Sequence, residues 1–133
     1  MYLLDTSTCI YFIKGRYPSL LDALRERKPA DIQIPSIVVA ELLLGAEKSK
    51  QRIRTLEVCR KFLEPFEVVS FDDEAAVKYA EIRAALEKRG RVLGTNDVII
   101  AATVMAHDGI LVTHCTKEFK QVAGLRVEDW VRE

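Results

Sequence analysis

Residues 1–15, MYLLDTSTCIYFIKG, decide the fold class. Met1 to Leu4 is a short apolar run, the pattern of a strand buried on both faces. Asp5, Thr6 and Ser7 close that run and supply a helix cap. Thr8 to Lys14 carry the helix, and Gly15 ends it. A buried strand handing over directly to a helix is the opening unit of an α/β protein.

The same alternation recurs outward from this unit. Pro18 opens a second helix with Leu20, Leu21 and Leu24 on one face, and Pro29 closes it. Asp31 to Pro35 alternates Ile32 and Ile34 and reads as a second strand. Ser36 is expected to cap the apolar helix that follows, IVVAELLLGAEKS. Gln51 to Leu63 sets Ile53, Leu56, Cys59 and Leu63 at helical spacing. FEVVSF (66–71) is a third strand. Asp72, Asp73 and Glu74 favour the positive end of the next helix, Ala75 to Arg89, which stops at Gly90. NDVIIAATVMAHDG (96–109) is a helix apolar nearly all round. Ile110 to Thr113 is a fourth strand and Leu125 to Val127 a candidate fifth. Strands separated by helices predict an α/β sandwich around a mainly parallel sheet of four or five short strands, formed by residues 1–133 as one domain. Ligands of such sheets bind outside the carboxyl ends of the strands, which directs attention to Asp5, Thr113 and the helix starts nearby.

Of the 133 residues, 49% are hydrophobic and 30% charged, which excludes a disordered tail. Twenty Lys and Arg balance twenty Asp and Glu. The zero sum argues against nucleic-acid binding by bulk attraction, although a neutral total can hide two opposed patches. The three cysteines, Cys9, Cys59 and Cys115, form no CxxC pair, so neither a zinc knuckle nor a redox dithiol is indicated. The N-terminus lacks the pattern of a signal peptide, and Val98 to Ala106 is too short to span a bilayer. The expectation is a soluble protein of the reducing cytoplasm, with no membrane partner.

Three acids adjoin segments that ought to be buried. Asp5 ends the first strand, Glu41 lies inside the apolar helix IVVAELLLG, and Asp97 opens the helix VIIAATVMA. Singly each has an ordinary role: Asp5 and Asp97 as helix-start acids, Glu41 on a solvated stripe paired with Lys48. Together they suggest a site. Convergence would force like charges close, and a divalent cation relieves that cost. Carboxylate oxygens select magnesium or manganese, which can raise the nucleophilicity of water and steady charge on a phosphoryl group.

In this order these residues resemble the PIN-domain ribonucleases, in particular the VapC toxins of bacterial and archaeal toxin–antitoxin pairs. LLDTSTCIYFIKG is similar to the family's opening strand and helix, with its first metal-binding acid at Asp5. SIVVAELLLGAEKS (36–49) is similar to the second motif, whose acid falls on Glu41. Residues 94–130 resemble the third motif and its tail: the acid is Asp97, followed by Thr113, Glu118, Phe119, Gly124, Leu125 and Trp130. Two positions depart from the family. Thr95 replaces a frequent Pro. Cys115 stands where many relatives carry a fourth Asp or an Asn, and a neutral thiol is a poor anchor for a second hard ion.

The resemblance implies a PIN-like α/β/α sandwich and an endoribonuclease that hydrolyses RNA phosphodiesters with a metal-activated water. Asp5 and Asp97 would hold one Mg2+ or Mn2+ ion, with Glu41 completing the catalytic acids through water or by orienting the nucleophile. Thr6, Ser7, Thr113 and Cys115 would lie just behind them, Thr6 and Ser7 doubling as helix caps. RNA would meet basic rims at Lys14 and Arg16, at Lys48, Lys50, Arg52 and Arg54, and at Lys88, Arg89 and Arg91. Tyr11, Phe12 and Tyr17 are candidates to stack bases, with helix packing or antitoxin docking as the alternative for the first two. A VapB-type antitoxin, a homodimer, and operator DNA reached only through the antitoxin are implied partners. The rival reading is a catalytically weak PIN domain that binds an antitoxin and regulates DNA, kept open by Cys115. A phosphoacceptor domain is disfavoured because the first strand carries one acid and no Lys follows the late strand. A zinc site at His114 and Cys115 is disfavoured because adjacent strand residues face opposite ways.

Overall fold

The computed structural model describes residues 1–132. Five parallel strands form one sheet: β1 (Tyr2–Leu4), β2 (Ile32–Pro35), β3 (Glu67–Val69), β4 (Ile110–Val112) and β5 (Arg126–Glu128), in the order β3-β2-β1-β4-β5. Helices α1 (Thr6–Lys14), α2 (Pro18–Arg25), α3 (Ser36–Glu47), α4 (Arg52–Leu63), α5 (Asp73–Lys88), α6 (Thr95–Ala106) and α7 (Thr116–Phe119) link and flank them, with a short 3-10 turn at Pro29–Asp31. The predicted architecture is present, and the sheet is wholly rather than mainly parallel.

Neighbouring residues of a strand point to opposite faces, yet Leu3 and Leu4 are both fully buried, so helices cover the sheet on both sides. Leu3 pairs with Leu111 and Leu4 with Val112 at the centre of the sheet. Around them pack Ile32, Ile34, Val38, Leu86 and Phe119. Helix α6 explains its all-round apolar sequence: Val98, Ile100, Ala101, Ala102, Thr103 and Val104 are buried, largely against α5. The Thr103 hydroxyl is satisfied there by donating to the Ile99 carbonyl at 2.8 Å.

Local expectations mostly hold. Asp5 is the N-cap of α1, and Gly15 ends that helix in the left-handed region at φ 66°. Asp72 caps α5 through the Ala75 N–H, and Gly90 follows its end. Ser36 is different: it is the first residue of α3, Pro35 holds the N-cap position, and no side chain caps that end. The third strand is three residues rather than six, Glu67–Val69, the stretch that pairs with Gln33–Pro35 of β2. The turn α7 escapes periodicity altogether, being a single turn long.

The strand order sets the site. From β1 the chain builds outward to β2 and β3 on one side, while β4 and β5 extend the other. The reversal between β1 and β4 opens a crevice at their carboxyl ends, the place where ligands bind in doubly wound sheets. Asp5 and Thr113 are the first residues past those two strands.

Candidate active site

Asp5 is 3% exposed and held from three directions. Its backbone N–H continues the sheet to the Val112 carbonyl at 3.2 Å. Its Oδ1 accepts from the Thr8 N–H at 2.9 Å, capping α1, and its Oδ2 accepts from the Thr113 hydroxyl at 2.5 Å. The Thr113 oxygen in turn accepts from the Cys115 N–H at 2.9 Å. The cap and the site acid are therefore one residue, and the two sequence readings of Asp5 are not alternatives.

Glu41, one and a half turns into α3, also has both oxygens engaged. Thr6 donates to Oε1 at 2.6 Å and Asn96 to Oε2 at 3.2 Å. The pairing with Lys48 weighed above is thus replaced by two neutral donors from α1 and α6. They fix the carboxylate without cancelling its charge. Asp97 sits half-buried in the first turn of α6, where the helix dipole favours an anion.

The three acids feel one another. Burial raises the Asp5 carboxyl above its ordinary range against the pull of its hydrogen bonds, and Glu41 pushes the same way. Asp97 is raised by burial, then by the charges of Glu41, Asp5 and Glu118. The Cys115 thiol is raised by burial and by Asp5, Glu118 and Asp97, while the Ser7 hydroxyl beside it pulls down. Among the described residues no Lys or Arg forms an ion pair with Asp5, Glu41, Asp97 or Glu118. Nor do three of these groups already stand at coordinating distance from one point. The site offers a cation the right donor chemistry: hard oxygen ligands, mutual repulsion and no internal counter-charge. Asp5, at the carboxyl end of β1, and Asp97, in the first turn of α6, are the acids placed to supply those ligands.

The PIN domain family model matches residues 2–125 of the chain. This chain belongs to the PIN-domain family. Its relatives include Ribonuclease VapC2 of Rickettsia felis, 37% identical over 131 residues and 98% of each chain, and the tRNA(fMet)-specific endonuclease VapC of Shigella flexneri, 37% identical over 129 residues and 97% of each. Among solved structures, VapBC2 from Rickettsia felis bound to a promoter DNA fragment superposes with a TM-score of 0.91 at 36% identity, covering 97% of this chain and 98% of that one. The DNA-bound VapBC from Salmonella typhimurium gives 0.92 at 35% identity and 97% of each.

The PIN domain brings together Asp5, Thr6, Ser7, Glu41, Asp97, Thr113 and Cys115, all named from sequence. Glu118 and Asn96 had no assigned task. Glu118 lies in the single turn of α7 and its charge reaches Asp97 and Cys115, supplying a carboxylate near the neutral thiol. Its signal was its place with Thr113 and Phe119 in the tail that resembles the family's. Asn96 was visible only as the neighbour of Asp97. His114 and Cys115 diverge, but not as strand residues, because β4 ends at Val112. His114 turns to Asp129, Nδ1 to Oδ2 at 2.9 Å, while Cys115 faces the acids.

The basic residues separate. Lys14 lines a groove of about 380 Å³ with Glu41 and Ser49, and Lys48 borders Glu41 and Asn96. Lys50 and Arg91 are exposed on loops. Arg52 is paired with Glu47 at 2.5 Å, and Arg89 donates to the Gln121 carbonyl at 2.7 Å, so both hold local structure.

Proposed function

We propose that this PIN domain is a magnesium- or manganese-dependent endoribonuclease, the toxin of a VapBC-type pair. The observation that carries the reading is the convergence of Asp5, Glu41, Asp97 and Glu118 at the β1–β4 crevice without a basic counter-ion. The kinship to ribonucleases and endonucleases named VapC, and to VapBC complexes bound to DNA, supports it. On this reading a VapB-type antitoxin neutralises the protein, operator DNA is reached through the antitoxin, and the toxin works in the cytoplasm as a homodimer.

Asp5 and Asp97 would hold the ion, which when bound supplies a Lewis acid for the scissile phosphate and eases ionisation of water. The chain's own residues do the positioning. Thr113 and the Thr8 N–H lock both Asp5 oxygens, so the carboxylate presents one orientation. Thr6 and Asn96 hold Glu41 as an acceptor-only group able to orient the attacking water. Lys14 and Lys48, on the Glu41 side, offer positive charge to RNA phosphates. The scaffold alternative draws on Cys115 alone, and Glu118 beside it weakens that argument.

The test is cleavage of RNA by purified protein with magnesium or manganese, with and without chelator, beside Asp5→Asn and Asp97→Asn. Each substitution is expected to cut the rate by about 100-fold or more, in line with loss of a metal ligand or its support. Cleavage that survives both substitutions overturns the mechanism. Antitoxin binding by a wild-type protein that cleaves nothing would favour the scaffold.

A further inference from the structure

Thr113, His114 and Cys115 join β4 to α7, and the first of them supplies the hydroxyl that orients Asp5. That hydroxyl is itself oriented. It accepts from the Cys115 N–H at 2.9 Å, so its own proton is left to point at Asp5 Oδ2. The bond from Cys115 to Thr113 closes a turn through a Thr side chain, and His114 is the residue inside it. Fixing His114 therefore fixes the two ends of that bond and, through them, the Asp5 carboxylate.

His114 is fixed by Asp129. Nδ1 and Oδ2 stand 2.9 Å apart, and because a carboxylate only accepts, the proton of this bond lies on Nδ1. The two side chains are 31% and 27% exposed, which spares the pair the full screening of a surface contact. Asp129 is anchored in turn. Its Oδ1 accepts from the Val131 N–H at 2.9 Å, and the Arg132 guanidinium donates to its carbonyl at 2.9 Å. Beside it Trp130 is buried between the Tyr2 ring, 5.1 Å away, and the Arg27 guanidinium, 4.0 Å from the indole centre. The indole N–H reaches the Glu128 carboxylate at 2.9 Å. Arg132 and Ser19 of α2 exchange two bonds, at 2.6 and 3.0 Å. Residues 129–132 add no strand to the sheet, yet they are tied to α2 and β1 and hold one carboxylate against His114.

We propose that Asp129 is a positioning residue of the metal site: bonded to His114, it keeps the Thr113–Cys115 turn closed, so that Thr113 holds Asp5 in one orientation for the ion. The inference rests on the metal-dependent reading above and adds no chemical step. Loss of a hydrogen-bonding partner directly behind a metal ligand costs about 10- to 100-fold in affinity, and Asp129 acts further out, so its effect is smaller.

The experiment titrates the full chain with Mn2+ in the absence of RNA and follows the electron-spin-resonance signal of the free ion, so the readout is binding and not cleavage. Asp129→Ala should weaken Mn2+ binding about fivefold, while Asp129→Asn, which keeps an acceptor for the His114 Nδ1–H, stays within about twofold of wild type. His114→Ala breaks the same link from the other side and should give the same loss. The two alanine substitutions together should do no more than either alone. Val69→Ala, in β3 at the distant edge of the sheet, removes buried methyl groups and lowers stability without touching the turn. It should leave Mn2+ affinity unchanged, which separates positioning from general loosening of the fold. His114→Ala keeps the test decisive where Asp129→Ala fails to fold. Affinity unchanged by the alanine variants, a double variant that loses the product of the single effects, or an equal loss in Val69→Ala overturns the proposal. If wild type still binds Mn2+ in those cases, the metal-site reading stands and only the role of Asp129 fails. A wild type that binds no Mn2+ overturns both.

Discussion

At the scale of the residue, Asp5 shows how a charge survives burial. Two hydrogen bonds favour its anion, yet burial outweighs them and its carboxyl titrates above the ordinary value of about 3.9. Between the unfolded value and the raised one the folded chain binds more protons than the unfolded chain. Stability of the chelated protein should therefore fall as pH rises through that window, and the penalty should persist above it. Asp5→Asn removes the charge and keeps an acceptor for the Thr8 N–H. In chelator its melting temperature should equal or exceed that of wild type, with a flatter pH dependence, while the rise on adding magnesium should vanish. Calorimetry with and without chelator across the acid range checks this. A variant that melts well below wild type in chelator, or keeps the magnesium shift, would show that Asp5 is mainly a structural cap. The identity of this residue was legible from its place between an apolar run and a helix. Its partner Thr113, 108 positions away, was marked by its place at the end of a late strand, and its supporting role only by family resemblance.

At the scale of the element, short strands are recognised by apolar runs and helices by their periods and punctuation, and both served well here. Gly15 and Gly90 stop helices with φ 66°, and Asp72 starts one. Ser36 misled because a capping residue type was inferred where the backbone had already entered the helix. Thr116–Phe119 was invisible because four residues carry no period. Gly109, between α6 and β4, has a reason that the chain order alone does not reveal. A β-carbon there would collide with Cδ1 of the fully buried Leu3 and lie 3.3 Å from the Met1 carbonyl oxygen. Gly109→Ala should therefore cost about 1–3 kcal/mol as overpacking against β1, measured by urea denaturation. A change of less than about 0.5 kcal/mol would mean that Leu3 moves aside freely.

At the scale of the whole molecule, four of the twenty acids, Asp5, Glu41, Asp97 and Glu118, stand at one crevice, while the zero net charge is balanced over the rest of the chain. Two of the suspected RNA-binding arginines, Arg52 and Arg89, are absorbed in local contacts, leaving few cations free to meet phosphate near the site. Single-stranded RNA binding should thus depend weakly on salt. A log–log slope shallower than about −3 is expected, at roughly −0.7 per phosphate contact, and titration from low to high salt reads it directly. A steeper slope would reveal a basic surface larger than the one described. The sequence by itself determined that the chain is an α/β protein, which acids adjoin its buried segments, and where its helices begin and end, because these depend on near neighbours and on burial. Only the tertiary structure decided that Thr6 and Asn96 clamp Glu41, that Thr113 donates to Asp5, and that Tyr11 and Tyr17 meet His114. Those contacts join residues on different elements, and their meeting follows from the reversal of strand order between β1 and β4, which no local pattern of side chains encodes.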